Sequence, residues 1–418
     1  WEPATQNHLT LQGDYYRTKL HENTVVLSPA PPFSESVNLT DHDEGGNVVA
    51  RWTHDFSDVS QLSVQAYYDH FSEQMANAAE RHDTFDLDTQ HRFPLGERND
   101  IVWGLGYRYT HFDFPQSSLI TFGSQTRNDQ LFSAFVQDEI TLVRDRLRVT
   151  LGSKLEHNDF TGVELQPSVR VAWTPCERNT IWAAVSRAVR TPSRAEDDVR
   201  ILLPSPGGGY YGYFGDRSGQ SEGLTAYELG WRTQPFQRFA FDLTAFYNQY
   251  DHLRLVTLGP PVPPSFPTFY SASILRGETY GAEAAASVNA TDWWRLRVTY
   301  AFLRLVVDPD PRDFLGIGNF FEGDDPKHRV SLRSMMDLPG DVQFDVGVNF
   351  VDALRTTGIS SYTTLDLRLA WRPTKNIEVS VVGQDLLDPQ HAEFAPIFNP
   401  SPLAEVPRSV YAKLTLKF

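Results

Sequence analysis

The sequence predicts an all-β protein: an antiparallel up-and-down transmembrane β-barrel that takes in residues 1–418 as one domain and contributes about 18 strands. Three observations predict this fold. Apolar and polar residues alternate along the whole chain. The connections between these segments are short and long by turns, one short and then one long, and most tryptophans lie close to the short ones. All three are typical of strands that cross a bilayer and return.

The alternation has a period of two residues. It is clearest in 342–350, 365–371 and 410–418, where every second residue is apolar and those between are mostly polar or small. A strand sends successive side chains to opposite faces, whereas a helix would scatter the same residues around its surface. These segments are therefore predicted to be strands with one apolar and one polar face.

The connections predict how the strands are joined. Short turns carry turn-forming residues, as in Pro339-Gly340-Asp341, and they lie near 56–59, 94–99, 144–146, 175–179, 234–238, 289–293, 338–341 and 372–376. Longer connections lie near 20–46, 72–83, 111–128, 157–164, 190–224, 252–277, 304–327, 352–362 and 385–407. Outer-membrane barrels have this asymmetry, with short periplasmic turns and long extracellular loops.

Aromatic residues give an independent indication. Apart from Trp1, every tryptophan lies within about five residues of a predicted short turn, namely Trp52, Trp103, Trp173, Trp182, Trp231, Trp293, Trp294 and Trp371. Many tyrosines lie toward the longer connections instead: Tyr15, Tyr16, Tyr67, Tyr68, Tyr109, Tyr250 and Tyr362. Two aromatic belts at opposite strand ends are expected where a protein meets two membrane–water interfaces.

The polar face of the predicted strands carries many charges. A barrel of this size has a lumen too wide for side chains alone to fill, so these charges are predicted to line a wet or plugged lumen. The residues predicted to face the lumen are Glu228, Arg232, Asp242, Arg297, Arg333, Asp366 and Arg368.

Composition argues against several classes of protein. The formal net charge is −16, whereas a nucleic-acid partner would favour a basic surface. The one cysteine, Cys176, permits no internal disulfide. No run approaches the roughly 18 apolar residues of a membrane helix. Mean hydropathy is −0.38, as expected when lipid-facing and lumen-facing residues cancel within any window.

Several stretches resemble the TonB-dependent outer-membrane receptors, as barrel only. The resemblance lies in Arg190-Thr191-Pro192-Ser193 before a long connection, in 227–232, in Gly281-Ala282-Glu283, and most specifically in 382–388, 391–394 and 407–411 with the terminal Phe418. Position 385 is Asp where the family more often has Asn. The resemblance implies a bacterial outer-membrane location and implies that Phe418 is a signal for the barrel-assembly machinery.

The resemblance also implies parts that this sequence does not contain. The family's barrels have 22 strands and enclose a plug domain, which is preceded by a short segment that engages TonB. Here the chain opens directly in a strand at 9–13. We therefore interpret it as strands five to 22 of a receptor truncated at its N-terminus. The alternative is a complete 18-stranded passive porin, since an even strand number permits closure.

Motifs for catalysis or cofactor binding are weak. Gly207-Gly208-Gly209 has no Walker lysine and no following helix. The acidic run Glu196-Asp197-Asp198 could hold calcium in a loop, the alternative being a solvated loop. His70, His82, His91 and His111 lack metal-ligand spacing. No G-x-S-x-G motif is present, so a barrel hydrolase is the weaker alternative, and no enzyme activity, cofactor or metal is predicted.

The function expected from the resemblance is TonB-coupled uptake of a scarce solute: a siderophore–iron complex, cobalamin or a carbohydrate. The connection at 190–224 combines the most residues suited to ligand binding, since arginines bind anionic or planar groups and aromatic side chains give rigid contact area. The expected partners are outer-membrane lipid, the assembly machinery, TonB through the missing plug segment, and an unidentified small molecule. The ligand-binding residues predicted there are Arg190, Arg194, Tyr210, Tyr211, Tyr213 and Phe214.

Overall fold

The structure is a computed structural model that describes residues 6–28, 33–75, 78–205, 209–313, 315–395 and 403–417. Most of the described residues are in strands, which belong to a 21-stranded sheet and a separate two-stranded one. Among the described residues no helix is long and apolar enough to cross a membrane.

Eighteen long strands of the large sheet form a meander in which each pairs antiparallel with the next, so the predicted number is confirmed for the described residues. They are β1 (Asn7–Leu27), β2 (Ser34–Ser57), β3 (Ser60–Gln74), β4 (Ala79–Leu95), β5 (Asn99–Asp113), β7 (Thr126–Val143), β8 (Leu147–Asn158), β9 (Gly162–Cys176), β10 (Asn179–Arg190), β13 (Glu222–Phe236), β14 (Phe239–Leu258), β15 (Ser265–Asn289), β16 (Trp294–Val307), β17 (His328–Leu338), β18 (Val342–Val351), β19 (Tyr362–Thr374), β20 (Ile377–Gln384) and β23 (Ser409–Leu416).

Short elements occupy the connections at one end of the meander. They are the strands β6 (Ile120–Phe122), β11 (Val199–Pro204), β12 (Tyr210–Phe214), β21 (Gln390–Ala392) and β22 (Glu405–Pro407), and the helices α1 (Arg194–Asp198) and α2 (Ile317–Gly323). We call this end of the meander the loop end and the opposite end the turn end. Phe418, the predicted assembly signal, lies outside the described residues, as do Gly207 and Gly208.

All eight predicted short turns are present at the turn end. The connecting residues are 58–59, 96–98, 144–146, 177–178, 237–238, 290–293, 339–341 and 375–376. At 339–341 the backbone takes positive φ at Gly340 (80°) and Asp341 (58°). Two consecutive left-handed residues match the twist of a tight hairpin, and glycine and aspartate are among the residues that tolerate them.

Four of the predicted long connections were wrong in extent. The predicted connections at 20–46, 72–83 and 252–277 shrink to 28–33, 75–78 and 259–264, because the flanking strands continue as two-stranded ribbons. The first two segments are largely polar, because a ribbon beyond the apolar band is wet on both faces and loses the apolar alternation while its backbone stays paired. The third is not, since Leu255 and Leu275 of the β14–β15 ribbon are buried.

The fourth, predicted at 157–164, is a turn of only 159–161 between β8 and β9. The side-chain Oδ1 of Asn158 accepts hydrogen bonds from the backbone N–H groups of Phe160 (2.9 Å) and Thr161 (2.8 Å). Gly162 follows with φ 77°. An asparagine that bonds its own backbone and a glycine at positive φ close a tight turn. The strict alternation of short and long connections therefore fails at this hairpin.

One face of the meander, the apolar face, displays large hydrophobic side chains. They recur at alternate positions, as with Phe132 (50% exposed) and Val136 (54%) on β7 and Leu151 and Leu155 on β8. An apolar surface of this extent is unfavourable in water by about 25 cal/mol per Å². A bilayer removes that cost, so this face fits the hydrocarbon layer.

The tryptophans lie near the turn end, as predicted, and Trp52, Trp173, Trp231 and Trp371 are exposed on the apolar face. Toward the loop end, Tyr227, Tyr247 and Tyr280 face one another across β13, β14 and β15. The predicted tyrosine belt is only partly on this face. Strand alternation puts Tyr15, Tyr68 and Tyr109 on it, but puts four others on the polar face: Tyr16, Tyr67, Tyr250 and Tyr362.

We expect an arginine to be tolerated on only one face of the meander. Val136→Arg on the apolar face of β7 should lower the free energy of unfolding in phospholipid vesicles by about 2–4 kcal/mol, because the charge enters hydrocarbon. The adjacent Gln137→Arg on the polar face is the matched control and should change it by under about 1 kcal/mol. Urea unfolding followed by tryptophan fluorescence measures both. Equal losses would contradict the assignment of faces.

Candidate functional site

A pocket of about 450 Å³ opens on the polar face at the loop end. We call it the loop-end pocket. Its wall comes from β5, β7 and β8, and its roof is the start of the connection between β10 and β13. The lining residues used below are Arg108, Phe112, Phe114, Phe122, Asp129, Glu156, Phe160 and 191–195.

Aromatic rings form one side of this pocket. Phe112 and Phe114 continue β5 and stack with ring centroids 6.0 Å apart, and Phe122 from β6 lies 4.6 Å from Phe114. The fourth ring, Phe160, comes from the tight turn after β8. Offset aromatic contacts of this kind stabilise one another and leave flat apolar surface exposed to a ligand.

The roof is organised by α1. Ser193 is its N-cap: the Ser193 side chain accepts from the Glu196 backbone N–H, and the Glu196 carboxylate accepts from the Ser193 backbone N–H at 2.7 Å. This capping box is encoded as Ser-x-x-Glu, and Pro192 before it restricts the entering backbone. The local sequence therefore fixes where the connection turns over the pocket.

Each of the three acidic residues of α1 pairs with a different arginine. Glu196 pairs with Arg190 at the end of β10 (2.9 Å) and with Arg254 of β14. Asp197 pairs with Arg127 of β7 (2.5 Å), and Asp198 with Arg217 (3.1 Å). We call this set of ion pairs the α1 anchor. It holds the roof to three separate strands of the meander.

The acidic run is consequently not free to hold calcium. The carboxylates of Glu196, Asp197 and Asp198 point to arginines on different elements. Across the described residues no group of three or more His, Cys, Asp or Glu side chains is arranged to hold a metal ion. The described lining of the pocket includes the hydroxyl of Ser193 but no histidine, and that hydroxyl caps α1 by accepting from the backbone N–H of Glu196.

Two predicted ligand-binding arginines are used inside the protein. Arg194 is 4% exposed, and its guanidinium lies 4.9 Å from the ring centroids of both Phe114 and Phe122. It also donates to the backbone oxygen of Ser124, and burial lowers its pKa. Arg190 donates to Glu222 (2.7 Å) as well as to Glu196. Both side chains therefore position the roof.

The predicted tyrosines and Phe214 lie on β12. This short strand pairs with β11 and, in parallel, with the start of β15, while β11 also pairs with β6. Phe214 stacks on Tyr270 with centroids 5.5 Å apart. Burial raises the pKa of Tyr213. Tyr211 is 38% exposed, and Tyr210 is half-buried. Of these residues, Tyr211 presents most surface to a ligand.

The seven residues predicted to face the lumen share the polar face. Arg232 of β13 is opposite Asp242 of β14, and Arg297 of β16 is opposite Arg333 of β17. The remaining three, Glu228, Asp366 and Arg368, follow from the alternation of β13 and β19. Directly opposed residues lie on the same side of a sheet. A second hollow of about 710 Å³, the wall hollow, lies on this face over β13 to β18.

Sequence reasoning missed the loop-end pocket. Its rings come from β5, β6 and the turn after β8, which are separated in the chain and share no motif. The one local signal is the run Phe112-Asp113-Phe114, which continues an alternating strand beyond the membrane band with aromatic residues. That signal indicates an ordered surface but does not say what covers it.

The comparisons with known proteins agree with this geometry. A family model described as "TonB dependent receptor-like, beta-barrel" matches residues 1–386. The chain is 28% identical over 217 residues to the iron-regulated outer membrane virulence protein of Vibrio cholerae, a match that covers 50% of this chain and 32% of the relative. The matched half of this chain thus covers about a third of the length of that curated relative.

Solved structures share the fold. The ferric enterobactin receptor of Pseudomonas aeruginosa superposes with a TM-score of 0.79 at 14% identity, over 100% of this chain and 68% of that one. The FrpB iron transporter of Neisseria meningitidis gives 0.75 at 13%, over 100% and 71%. At these identities the likeness shows the fold alone. It is the β-barrel fold that the family model also describes.

The α1 anchor should weaken when Glu196 loses its charge. Burial acts to raise the pKa of Glu196, but hydrogen bonds from Arg190 and Ser193 outweigh it and leave that pKa below its ordinary value. A lowered carboxyl pKa stabilises the fold above the ordinary glutamate pKa of about 4.3, and this contribution disappears as pH falls through the folded value. Glu196→Gln should therefore speed hydrogen exchange in 194–204 at neutral pH.

The matched control is Asp310→Asn. Arg312 lowers the pKa of Asp310 to about 2, but this exposed pair joins residues two apart in another connection. We expect Asp310→Asn to leave exchange in 194–204 unchanged. In the unsubstituted chain, the protection of 194–204 against hydrogen exchange should fall as the pH is lowered. In Glu196→Gln, lowering the pH should cause little further loss of protection. Equal protection of both chains at neutral pH would show that the anchor does not hold the roof.

Proposed function

The chain belongs to the TonB-dependent receptor β-barrel family, and we propose that it forms the outer-membrane wall and ligand-reading loops of an uptake receptor for iron chelates. The observation that carries this proposal is the loop-end pocket: an aromatic cavity under an anchored roof, on the polar face of a transport barrel. Such a cavity suits the capture of a solute before it passes inward.

Iron chelates are favoured over cobalamin and carbohydrates by two kinds of observation. The curated relative is named for its regulation by iron, and the solved neighbours are named as a ferric enterobactin receptor and an iron transporter. The pocket adds flat aromatic surface beside charged groups. Planar aromatic chelating groups would stack on such rings, and a charged complex would find hydrogen-bond donors and acceptors beside them.

We assign different tasks to the residues of the connection at 190–224. Arg190 and Arg194 are positioning residues, because their guanidinium groups hold Glu222, Glu196 and the rings of the roof. Tyr210 and Tyr211 add contact surface on β12. Tyr213 and Phe214 support them through the packing of β12 on β15. The ligand would touch the pocket rings and Tyr211.

In this proposal, each face of the meander contacts a different partner. The apolar face contacts outer-membrane lipid, and the polar face lines the lumen, so that Glu228, Arg232, Asp242, Arg297, Arg333, Asp366 and Arg368 line the solute's path. TonB supplies the energy for passage, as in the family. The assembly machinery recognises the last strand, β23, which keeps the apolar alternation at Val410 and Leu414.

Uptake should depend on TonB. Cells that carry the complete gene for this chain should accumulate ⁵⁵Fe from a ferric chelate, with ferric enterobactin as the first probe and hydroxamate and carboxylate chelates as the others. Deleting tonB should reduce that accumulation to the level of cells without the receptor. Accumulation that persists without TonB, and rises in proportion to external concentration, would instead establish a passive channel.

Binding should depend on the rings of the loop-end pocket. Phe112→Ala should weaken binding of the chelate identified in that uptake assay about tenfold, because an aromatic anchor contributes about 1–2 kcal/mol at a binding surface. Phe132→Ala, on the apolar face of β7, is the matched control and should bind as before. Surface expression and affinity for ⁵⁵Fe-chelate on whole cells measure the effect. Unchanged affinity of Phe112→Ala would remove this pocket from the binding site.

A further inference from the structure

A groove of about 490 Å³ crosses the apolar face of the meander, on the opposite side of the sheet from the loop-end pocket. We call it the lipid-face groove. Its lining comes from five neighbouring strands, β4, β5, β7, β8 and β9. The lining residues used below are Leu105, Tyr107, Phe132, Ala134, Leu155 and His157.

A small side chain between two large ones makes this groove. In the strand register, Ala134 of β7 lies directly between Leu105 of β5 and Leu155 of β8. Directly opposed residues lie on the same face of a sheet. The two leucines project from that face, with 55% and 49% of their surface exposed, whereas the side chain of alanine ends at Cβ. Ala134 is therefore the floor of the groove, and the two leucines are its rims.

The wall toward the loop end is aromatic and has a polar edge. Tyr107 and Phe132 are the next register partners along β5 and β7, and their ring centroids lie 4.7 Å apart. The Tyr107 hydroxyl donates to Oε1 of Gln130 at 3.1 Å, which holds the ring in place. On the other side of Phe132 the register places His157. The wall is thus apolar beside the floor and carries hydrogen-bonding groups at its outer edge.

The groove lies directly below the aromatic belt at the loop end. Tyr68, Phe85 and Tyr109 form the next row of the apolar face in that direction. Such rows mark the boundary between hydrocarbon and headgroups. Five strands span about 19 Å across the sheet. Barrel strands tilt by roughly 35–45°, so a groove that crosses them slopes from this boundary into the hydrocarbon.

The surroundings of the groove indicate what fills it. An empty groove would forfeit the dispersion contacts of the atoms that line it. Water is a poor filler, because it needs several polar partners and the floor and rims are apolar. An acyl chain is narrow and flexible, and its polar end stays at the boundary where the groove begins. The groove is also continuous with the apolar face around it, which lies against membrane lipid.

We propose that the lipid-face groove binds one acyl chain of an outer-leaflet lipid, with the polar end of that lipid beside Gln130 and His157. The chain lies over Ala134, between the two leucine rims and against the ring of Phe132. A lipid held in this way exchanges more slowly than the lipids that cover the rest of the barrel. The inference uses the outward orientation of the loop end in the proposed function and adds a lipid site to it.

Photocrosslinking tests this site in the intact receptor. The product of the complete gene is placed in bilayer nanodiscs of dioleoylphosphatidylcholine that contain a phosphatidylcholine with a diazirine on one acyl chain. Peptide mass spectrometry should show that labelling of the groove levels off as the probe fraction rises, while labelling elsewhere on the apolar face rises in proportion. Ala134→Phe fills the floor and should lower groove labelling about tenfold, because the chain loses its lateral contacts.

Leu155→Ala removes one rim without adding bulk and should lower groove labelling several-fold. The matched controls are Val136→Phe and Leu151→Ala, which make similar changes on the same two strands and face but outside the lining, and they should leave it unchanged. Proportional labelling of the groove, or equal labelling in all variants, would overturn the proposal. An unlabelled groove in a receptor that migrates as a dimer would assign it to a second copy instead. Since no iron uptake is measured, either failure leaves the proposed receptor function untouched.

Discussion

A backbone amide that enters hydrocarbon has no water to bond, and each unpaired group costs several kcal/mol there. The rest of this structure depends on that constraint. It demands that every membrane-level residue sit in a ladder. The strands between β1 and β23 meet this demand by pairing on both sides, whereas β1 and β23 each pair on one side only among the described residues. Turn-end connections can therefore be as short as two residues, as at 58–59. Irregular backbone is confined to the loop end, where water or the protein itself can satisfy it.

The same constraint explains where packing energy is found. A sheet whose one face meets lipid and whose other face meets a lumen has no central core to bury. The buried apolar cluster of the described residues lies instead at the loop end, where Leu255 and Leu275 of the β14–β15 hairpin meet Val307 and Ile317. Order in the loops thus comes from such local clusters and from the α1 anchor. A pocket supported in this way keeps its shape although it stands outside the membrane band.

Local rules of the chain predict the frame but not the pocket. Alternation, turn residues and tryptophan position each act over a few residues, so they predict the strands, the eight short turns and the polar face on which Arg232 meets Asp242. Loop extent was predicted less well, because a polar ribbon such as 34–46 and an irregular loop have similar composition. The encounter of Phe112, Phe122 and Phe160, and the burial of Arg194 between Phe114 and Phe122, depend on tertiary placement that no short pattern encodes.

Charge on the polar face has two physical roles that the ion pairs separate. Where an arginine meets a carboxylate of a neighbouring strand, as Arg368 meets Asp345 of β18 and Glu378 of β20, the pair ties the strands together and leaves little net charge. Where two arginines meet, as at Arg297 and Arg333, their like charges repel across the register and the pair does not stabilise the strands. The stabilising part of this charge therefore lies in the pairs that join neighbouring strands.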